Sequence, residues 1–350
     1  LQAAQTLIDT LPEDVTAENA AKIEAQLLAI DEAMDALTAE EAGALDMERY
    51  LSVCAALAAM TEVQAGEHSH KLCSHGGNCT ICPSEATNSQ TFATALTMGT
   101  DGVYAGGEKV SNNMGDVTLT AGTYYLAQDI GVNKIDINGD VVFCLNGSNI
   151  TIGSNLLYGI FVNDGTTLTL CDCRGGGRIT HHSSYSGGGV SVCSGGKLIM
   201  YGGSISGNAT SSYRPVNGGG VCVEAGGSFT MYGGTISGNT ATGKGGGVYV
   251  DSGGSFTVSG NVNISGNTGG NVYLPSGKTI TLAGGLGDSA SIGVTTETPP
   301  AAGNPVTIAQ GGNGYAPTDA DAGKFHDDTG AGNEIVLSSG AIVMQMSKPH

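Results

Sequence analysis

Histidines and cysteines crowd one short segment of the chain, His68-x-His70-x2-Cys73-x-His75-x3-Cys79-x2-Cys82. Imidazole nitrogen and thiolate sulfur are the ligands that tetrahedral zinc takes, and a Cys-x2-Cys pair closely preceded by Cys and His has the compact spacing of such sites. His70, Cys73, Cys79 and Cys82 are therefore the expected ligands of a structural zinc ion. The same sulfurs can instead close a disulfide, Cys73 with Cys79 or Cys82, in an oxidising compartment. Either use is structural, because a closed ligand set leaves no coordination position open for catalysis. With few apolar residues of its own, the segment would take its order from the metal or the crosslink.

Glu224 and Asp251 offer a second kind of chemistry. They occupy matching places in consecutive repeats, which sets their Cα atoms about one strand spacing, ~5 Å, apart. Paired carboxylates at that separation suit a retaining glycoside-cleaving pair or a weak cation site. Between residues 189 and 290 the one other acid is Asp288, and no Arg or Lys stands nearby to complete such a site. The simpler reading is two solvated strand ends. His181-His182 lies in a polar stretch without an acidic neighbour and is read as a solvated loop. Tyrosines suggest binding rather than bond-breaking. Tyr201 with Tyr232, and Tyr249 with Tyr273, take equivalent places, and the alternation of the pattern points both pairs outward. Rings in such a column make a flat apolar strip that suits sugar rings or another protein, or they stabilise the ladder by cross-strand contact. A loop at 209–217, with Tyr213, Arg214 and Pro215, bulges from one corner, and insertions at a single corner often carry the binding function of a repeat protein.

The elements that must hold these residues are legible from 189 to 290, where Gly-Val-x-Val-x-x-Gly-Gly-x-(Leu/Phe)-x-(Met/Val) recurs and is followed by Ile-Ser-Gly-Asn. Its anchors Gly189, Gly220, Gly247 and Asn271 are spaced 31, 27 and 24 residues apart, the period range of stacked architectures. Alternating apolar positions, as at Val221 and Val223, then Phe229 and Met231, mark short strands with one inward face. Three strands and three glycine-rich corners make one triangular coil. No coil buries its inner face alone, so coils stack, Val190 and Val192 against Val221 and Val223 against Val248 and Val250. Asn208, Asn239 and Asn267 fall in one column, where an Asn tolerates left-handed backbone and can bond to its neighbour along the stack. Val117, Ile135, Val141, Ile160 and Leu168 begin segments that continue the alternation upstream in less regular turns. After Pro299-Pro300, strands at 305–310 and 334–345, with a turn at Gly340, are expected to cover the exposed end.

Among nine cysteines, Cys144, Cys171, Cys173, Cys193 and Cys222 lie on or beside strands and read as small apolar side chains that stack in the coil. A Cys193–Cys222 link is not expected, because the repeats set Cys222 opposite Ser191 and Cys193 opposite Glu224. The net charge of −19 argues against nucleic acid as a partner. Residues 1–67 hold 14 Asp or Glu against Lys22 and Arg49, a balance of −12. Ile23, Leu27, Ile30, Met34 and Leu37 trace a helical stripe, and Thr38-Ala-Glu-Glu41 has capping-box spacing, so three short helices are expected there. No apolar run approaches the roughly 18 residues of a membrane span. A chain beginning at Leu1 is expected to have lost a signal peptide or to be part of a longer protein.

Several of these stretches together carry a resemblance. Leu45-Asp-Met-Glu-Arg-Tyr50, His68-Ser-His-Lys-Leu-Cys73, Gly122-Thr-Tyr-Tyr-Leu126, Cys144-Leu-Asn-Gly147, Leu170-Cys-Asp-Cys173 and the Gly-Gly-Gly-Val repeats resemble secreted or surface-anchored proteins of Gram-positive gut anaerobes. In these a helical module and a His/Cys segment precede a right-handed, pectate-lyase-like parallel β-helix. Relatives carry further histidines after the second cysteine, where this chain has Cys82. The resemblance implies a mainly β protein with a three-helix module at 1–65, a His/Cys linker at 66–100, a right-handed parallel β-helix at 101–298 and capping strands at 299–350. It implies an extracellular or cell-surface place and an adhesin-like, non-catalytic role toward a glycan or a host or cell-surface protein. The alternative is a polysaccharide lyase or glycoside hydrolase of the same fold, using Glu224 and Asp251.

Overall fold

The computed structural model describes residues 2–12, 19, 22–23, 26–27, 29–30, 33, 37, 45–46, 49–50, 52–53, 68–71, 89–92, 94–99, 102–112, 114–210 and 216–347. They belong to two compact units, Leu1–His68 and Ser69–His350.

In the first unit the helix Gln2–Asp9 buries Ala4 and Ile8. These pack with Leu11, Ile23, Ile30, Leu45 and Val53 in one apolar cluster. Ile23 and Ile30 stand two helical turns apart, as the apolar stripe requires, and both are helical residues. Gln2–Asp9 is the one defined helix among the described residues of this unit. The three-helix arrangement expected at 1–65 is thus not shown, and much of it, including Thr38 to Glu41, lies outside the described residues.

The second unit is a β-solenoid of about eight turns. Each turn contributes one strand to each of three parallel sheets. Sheet I aligns Ile160 with Val190, Val190 with Val221, Val221 with Val248 and Val248 with Val272. Sheet II runs through Phe143, Leu170, Met200, Met231, Val258 and Leu282. Sheet III runs through Ile150, Ile179, Ile205, Ile236, Ile264 and Ile292. All these side chains join one continuous core, which is what alternation with an inward apolar set produces. The register read from the repeats is the register observed, including Ser191 opposite Cys222.

The glycine that precedes Val190, Val221 and Val248 in sheet I has a steric cause. A Cβ on Gly220 would lie 2.6 Å from the carbonyl oxygen of Gly247 and 2.7 Å from Ile236 Cγ2, and Gly189 and Gly247 are crowded the same way by the following turn. Backbone therefore passes over backbone at this corner without room for a side chain.

Beside that corner runs an amide ladder, fully buried at Asn208 and Asn239 and half-buried at Asn267. Asn208 Nδ2 donates to Asn239 Oδ1 at 2.9 Å, Asn239 Nδ2 to Asn267 Oδ1 at 3.0 Å, and Asn267 Nδ2 to Asn271 Oδ1 at 2.8 Å. Each of these three amides also donates to an isoleucine carbonyl, of Ile179, Ile205 and Ile236. The column expected from Ile-Ser-Gly-Asn is present, and it is longer than the motif. His181 Nδ1 contacts Asn208 Oδ1 at 3.0 Å at one end, and Asn271 Nδ2 donates to Asp328 at 2.8 Å at the other.

Antiparallel pairing finishes both ends of the stack. Thr94–Gly99 lies parallel to Asp116–Leu126 on one side and antiparallel to Gly102–Ala105 on the other. Val306–Gly311 follows Ile280–Leu286 in parallel and then receives Ala341–Gln345 antiparallel, which pairs in turn with Glu334–Ser338. The turn between the last two uses Ser339 and Gly340, both at positive φ, 51° and 78°. A short helix, Asp319–Ala322, fastens this region to the coil: the buried Asp321 carboxylate accepts from Leu286 N at 2.8 Å and Tyr315 Oη at 2.7 Å.

Candidate functional site

The wall of sheet I carries the expected carboxylates and one tyrosine column. Asp251 N donates to the Val223 carbonyl, so Glu224 and Asp251 follow paired residues in adjacent turns, as the repeats required. Their carboxylates are turned to local partners. Glu224 accepts from Ser191 Oγ at 3.1 Å, and Asp251 accepts from Ser252 Oγ and Gly253 N within its own turn. The ion pairs among the described residues are elsewhere, Lys134–Asp136 and Lys244–Glu297.

Tyr249 and Tyr273 stack at 5.9 Å with 18° between ring planes, the cross-strand contact that is one of the two readings of this column, and not an open strip. Tyr273 is buried, and half-buried Tyr249 packs against a patch of Tyr158, Val216 and Cys222 outside the main core. Lys244 covers the Tyr273 ring at 4.5 Å and donates to its hydroxyl at 2.6 Å. Glu297 completes the group, accepting from Lys244 at 3.1 Å and from Ser276 N at 3.1 Å. The Ser276 amide foremost, then Lys244, brings the Glu297 carboxyl down to about 2. This column works as a clasp between turns.

Tyr201 and Tyr232 differ. They stack at 5.0 Å with 18° between planes, both half-buried, on the outer side of sheet II. Tyr201 borders a groove of about 430 Å3 with Asp172, Arg174, Ser204, Thr235 and Asn261, its floor made largely of glycine. Glycine at the corners removes side chains that would otherwise fill this space. Asp172 fixes one rim, accepting from Gly147 N at 2.7 Å and from Gly177 N at 2.8 Å. Another groove, of about 500 Å3, runs beside Lys134, Asp136, Leu156 and Phe161.

One thiol, Cys173, lines the first groove, and two more, Cys144 and Cys171, lie near it in the sheet. Cys144 and Cys171 are register partners and fully buried, while Cys173 is exposed. Cys144 and Cys171 do stack, but with Tyr125 in a cluster outside the main core rather than within it. Cys144 Sγ lies 3.4 Å from Cys173 Sγ. The Cys171 thiol, then burial, push Cys144 up to about 12, against a lowering contact from Cys173. The sequence signal was available: Cys171 and Cys173 two apart at a strand end, one turn on from Cys144.

His181 corrects the solvated-loop reading. It is buried with its Nδ1 on Asn208, and the structure gives its Nε2 no partner, while His182 is exposed and edge-on to Tyr185 at 5.8 Å. Burial lowers the His181 pKa below its usual 6.5, with the Asn208 bond opposing. A depressed histidine contributes stability that is present above the unfolded value of about 6.5 and is lost as pH falls toward the folded value. Melting temperature is expected to fall between pH 6.5 and 5, and the slope to flatten in His181→Gln; equal slopes in the two proteins would remove this role.

Cys73, Cys79, Cys82, Tyr213 and Arg214 lie outside the described residues, as does the side chain of His70, whose backbone belongs to the strand His68–Lys71. Among the described residues no group of three or more His, Cys, Asp or Glu is arranged to hold a metal ion, and no helix is long and apolar enough to cross a membrane. No protein-family model matches the chain, and no curated protein or solved structure shows significant similarity to it, so the family resemblance rests on its motifs alone.

Proposed function

We propose that this chain is a non-catalytic, extracellular or cell-surface β-solenoid protein that binds a glycan in the groove beside the stacked Tyr201 and Tyr232. The observation that carries the reading is the pairing of a stacked, half-buried tyrosine column with a glycine-floored groove rimmed by Asp172, Arg174 and Asn261. Sugar rings are recognised by that combination, an aromatic face for the C–H surface and amide, carboxylate and guanidinium groups for the hydroxyls. The coil is taken as right-handed, as parallel crossovers almost always are. The division into a helical module at 1–65, a linker at 66–100, coils at 101–298 and a cap at 299–350 belongs to the same reading. So does a structural zinc on His70, Cys73, Cys79 and Cys82, to be settled against a Cys73 disulfide by elemental analysis with thiol counting. A cell-surface protein is the competing partner. Hydrolase or lyase chemistry at Glu224 and Asp251 is less well supported, since both carboxylates are bonded locally and no cation among the described residues pairs with them.

A glycan array followed by calorimetry on the best hit tests it. Tyr201→Ala combined with Tyr232→Ala is expected to weaken binding at least tenfold, about 1.4 kcal/mol, with the fold retained by circular dichroism. Unchanged affinity in that variant, or turnover of a polysaccharide that ceases in Glu224→Gln with Asp251→Asn, would overturn it.

A further inference from the structure

We propose that Cys144 and Cys173 are a thiol–disulfide pair, closing a bond between consecutive turns of the coil on reaction with a small-molecule disulfide. Their sulfurs are 3.4 Å apart, so a closure of about 1.4 Å reaches the ~2.05 Å of a disulfide. Asp172 holds the two turns in place, since its two oxygens accept from Gly147 N on one and Gly177 N on the other. The Leu145 amide adds a bond to the Cys171 carbonyl at 2.8 Å. These bonds hold the two turns together independently of any S–S bond.

Exposure sets the order of events. Cys173 is exposed and meets a dissolved reagent, whereas Cys144 and Cys171 are 0% exposed. Cys173, after losing its proton to solvent, attacks one sulfur of RSSR; the S–S bond breaks and RS− leaves, protonated to RSH. Cys144 then gives up its proton and attacks Cys173 Sγ, forming the Cys144–Cys173 bond and expelling the second RS−, which takes up that proton. In sum, two cysteine thiols and RSSR give one intramolecular disulfide and two RSH. Two electrons pass from the protein to the small disulfide. The elevated pKa of Cys144 keeps it from reacting ahead of Cys173.

Oxidised glutathione, titrated onto the reduced full-length chain and followed by peptide mapping, tests the pair. The expected product links the Cys144 peptide to the Cys173 peptide, with a melting temperature several degrees above the reduced form. Cys144→Ser is expected to accumulate a lasting glutathione adduct on Cys173, and Cys173→Ser to leave Cys144 unmodified. A link from Cys173 to any other cysteine, a Cys144–Cys171 link, a lasting adduct on the unaltered chain, or no reaction at these positions would each overturn the proposal. Because the mapping uses the unaltered chain, it decides even if a variant fails to fold.

Discussion

Asn239→Ala is expected to destabilise the coil by about 3–5 kcal/mol, read from urea unfolding. The Asn239 side chain is wholly buried and sits mid-ladder, accepting from the backbone N and the Nδ2 of Asn208 and donating to the Ile205 carbonyl and to Asn267. Truncation strands both Asn208 donors and the Ile205 acceptor in a dry interior, at about 1–3 kcal/mol for each group left unmade. Asn239→Asp keeps the shape but replaces a donor by an oxygen aimed at two acceptors, so it is expected to do at least as much harm. Asn163→Ala is the control: among the described residues the Asn163 side chain bonds to Asn138 at an exposed corner, its carbonyl bond to Thr166 survives the change, and stability is expected to shift by less than about 0.5 kcal/mol. A loss at Asn239 no larger than at Asn163 would mean the ladder is ornamental.

Phe229→Ala should have an effect of the same size, about 3–5 kcal/mol. Phe229 and Phe256 are buried in consecutive turns and stack at 4.9 Å with 18° between planes, at the width of the core where other turns carry Leu198 or Ile280. Removing one ring leaves a void bounded by a rigid backbone on three sides, which cannot collapse to fill it. Phe229→Ala with Phe256→Ala is expected to cost less than the sum of the two by about 0.5–1.5 kcal/mol, the share of ring–ring contact counted twice. Strict additivity, measured by the same denaturant curves, would show that the rings fill space without interacting.

The coil was legible because its periodicity is enforced by sterics. Val190, Val221, Val248 and Val272 pair as their repeats align, since a slip of one residue would turn every inward side chain out. The strands of the terminal hairpin could be placed for the same reason, from Gly340 between two apolar runs. What the repeats did not disclose are contacts made by residues outside them. His181 and Asp328 belong to no Ile-Ser-Gly-Asn unit, yet they terminate the amide ladder. The fate of each tyrosine pair was equally hidden: equivalent positions gave one column left half-exposed and one covered, because Lys244 and Val216 arrive from corners of irregular length. Alternation says which side of a strand a ring is on, not what else lies over that side.

The antiparallel strands at the two ends of the stack have a consequence for assembly. A parallel winding is open-ended by construction, and any further copy presenting the same rung could extend it indefinitely into a fibre. Here one sheet of the coil ends at each side in an antiparallel hairpin of the same chain, outermost Glu108–Lys109 at one end and Glu334–Ser338 at the other, so the place of the next rung in that sheet is already taken. A second copy would have to pair with a short hairpin edge in that sheet and not with an open coil.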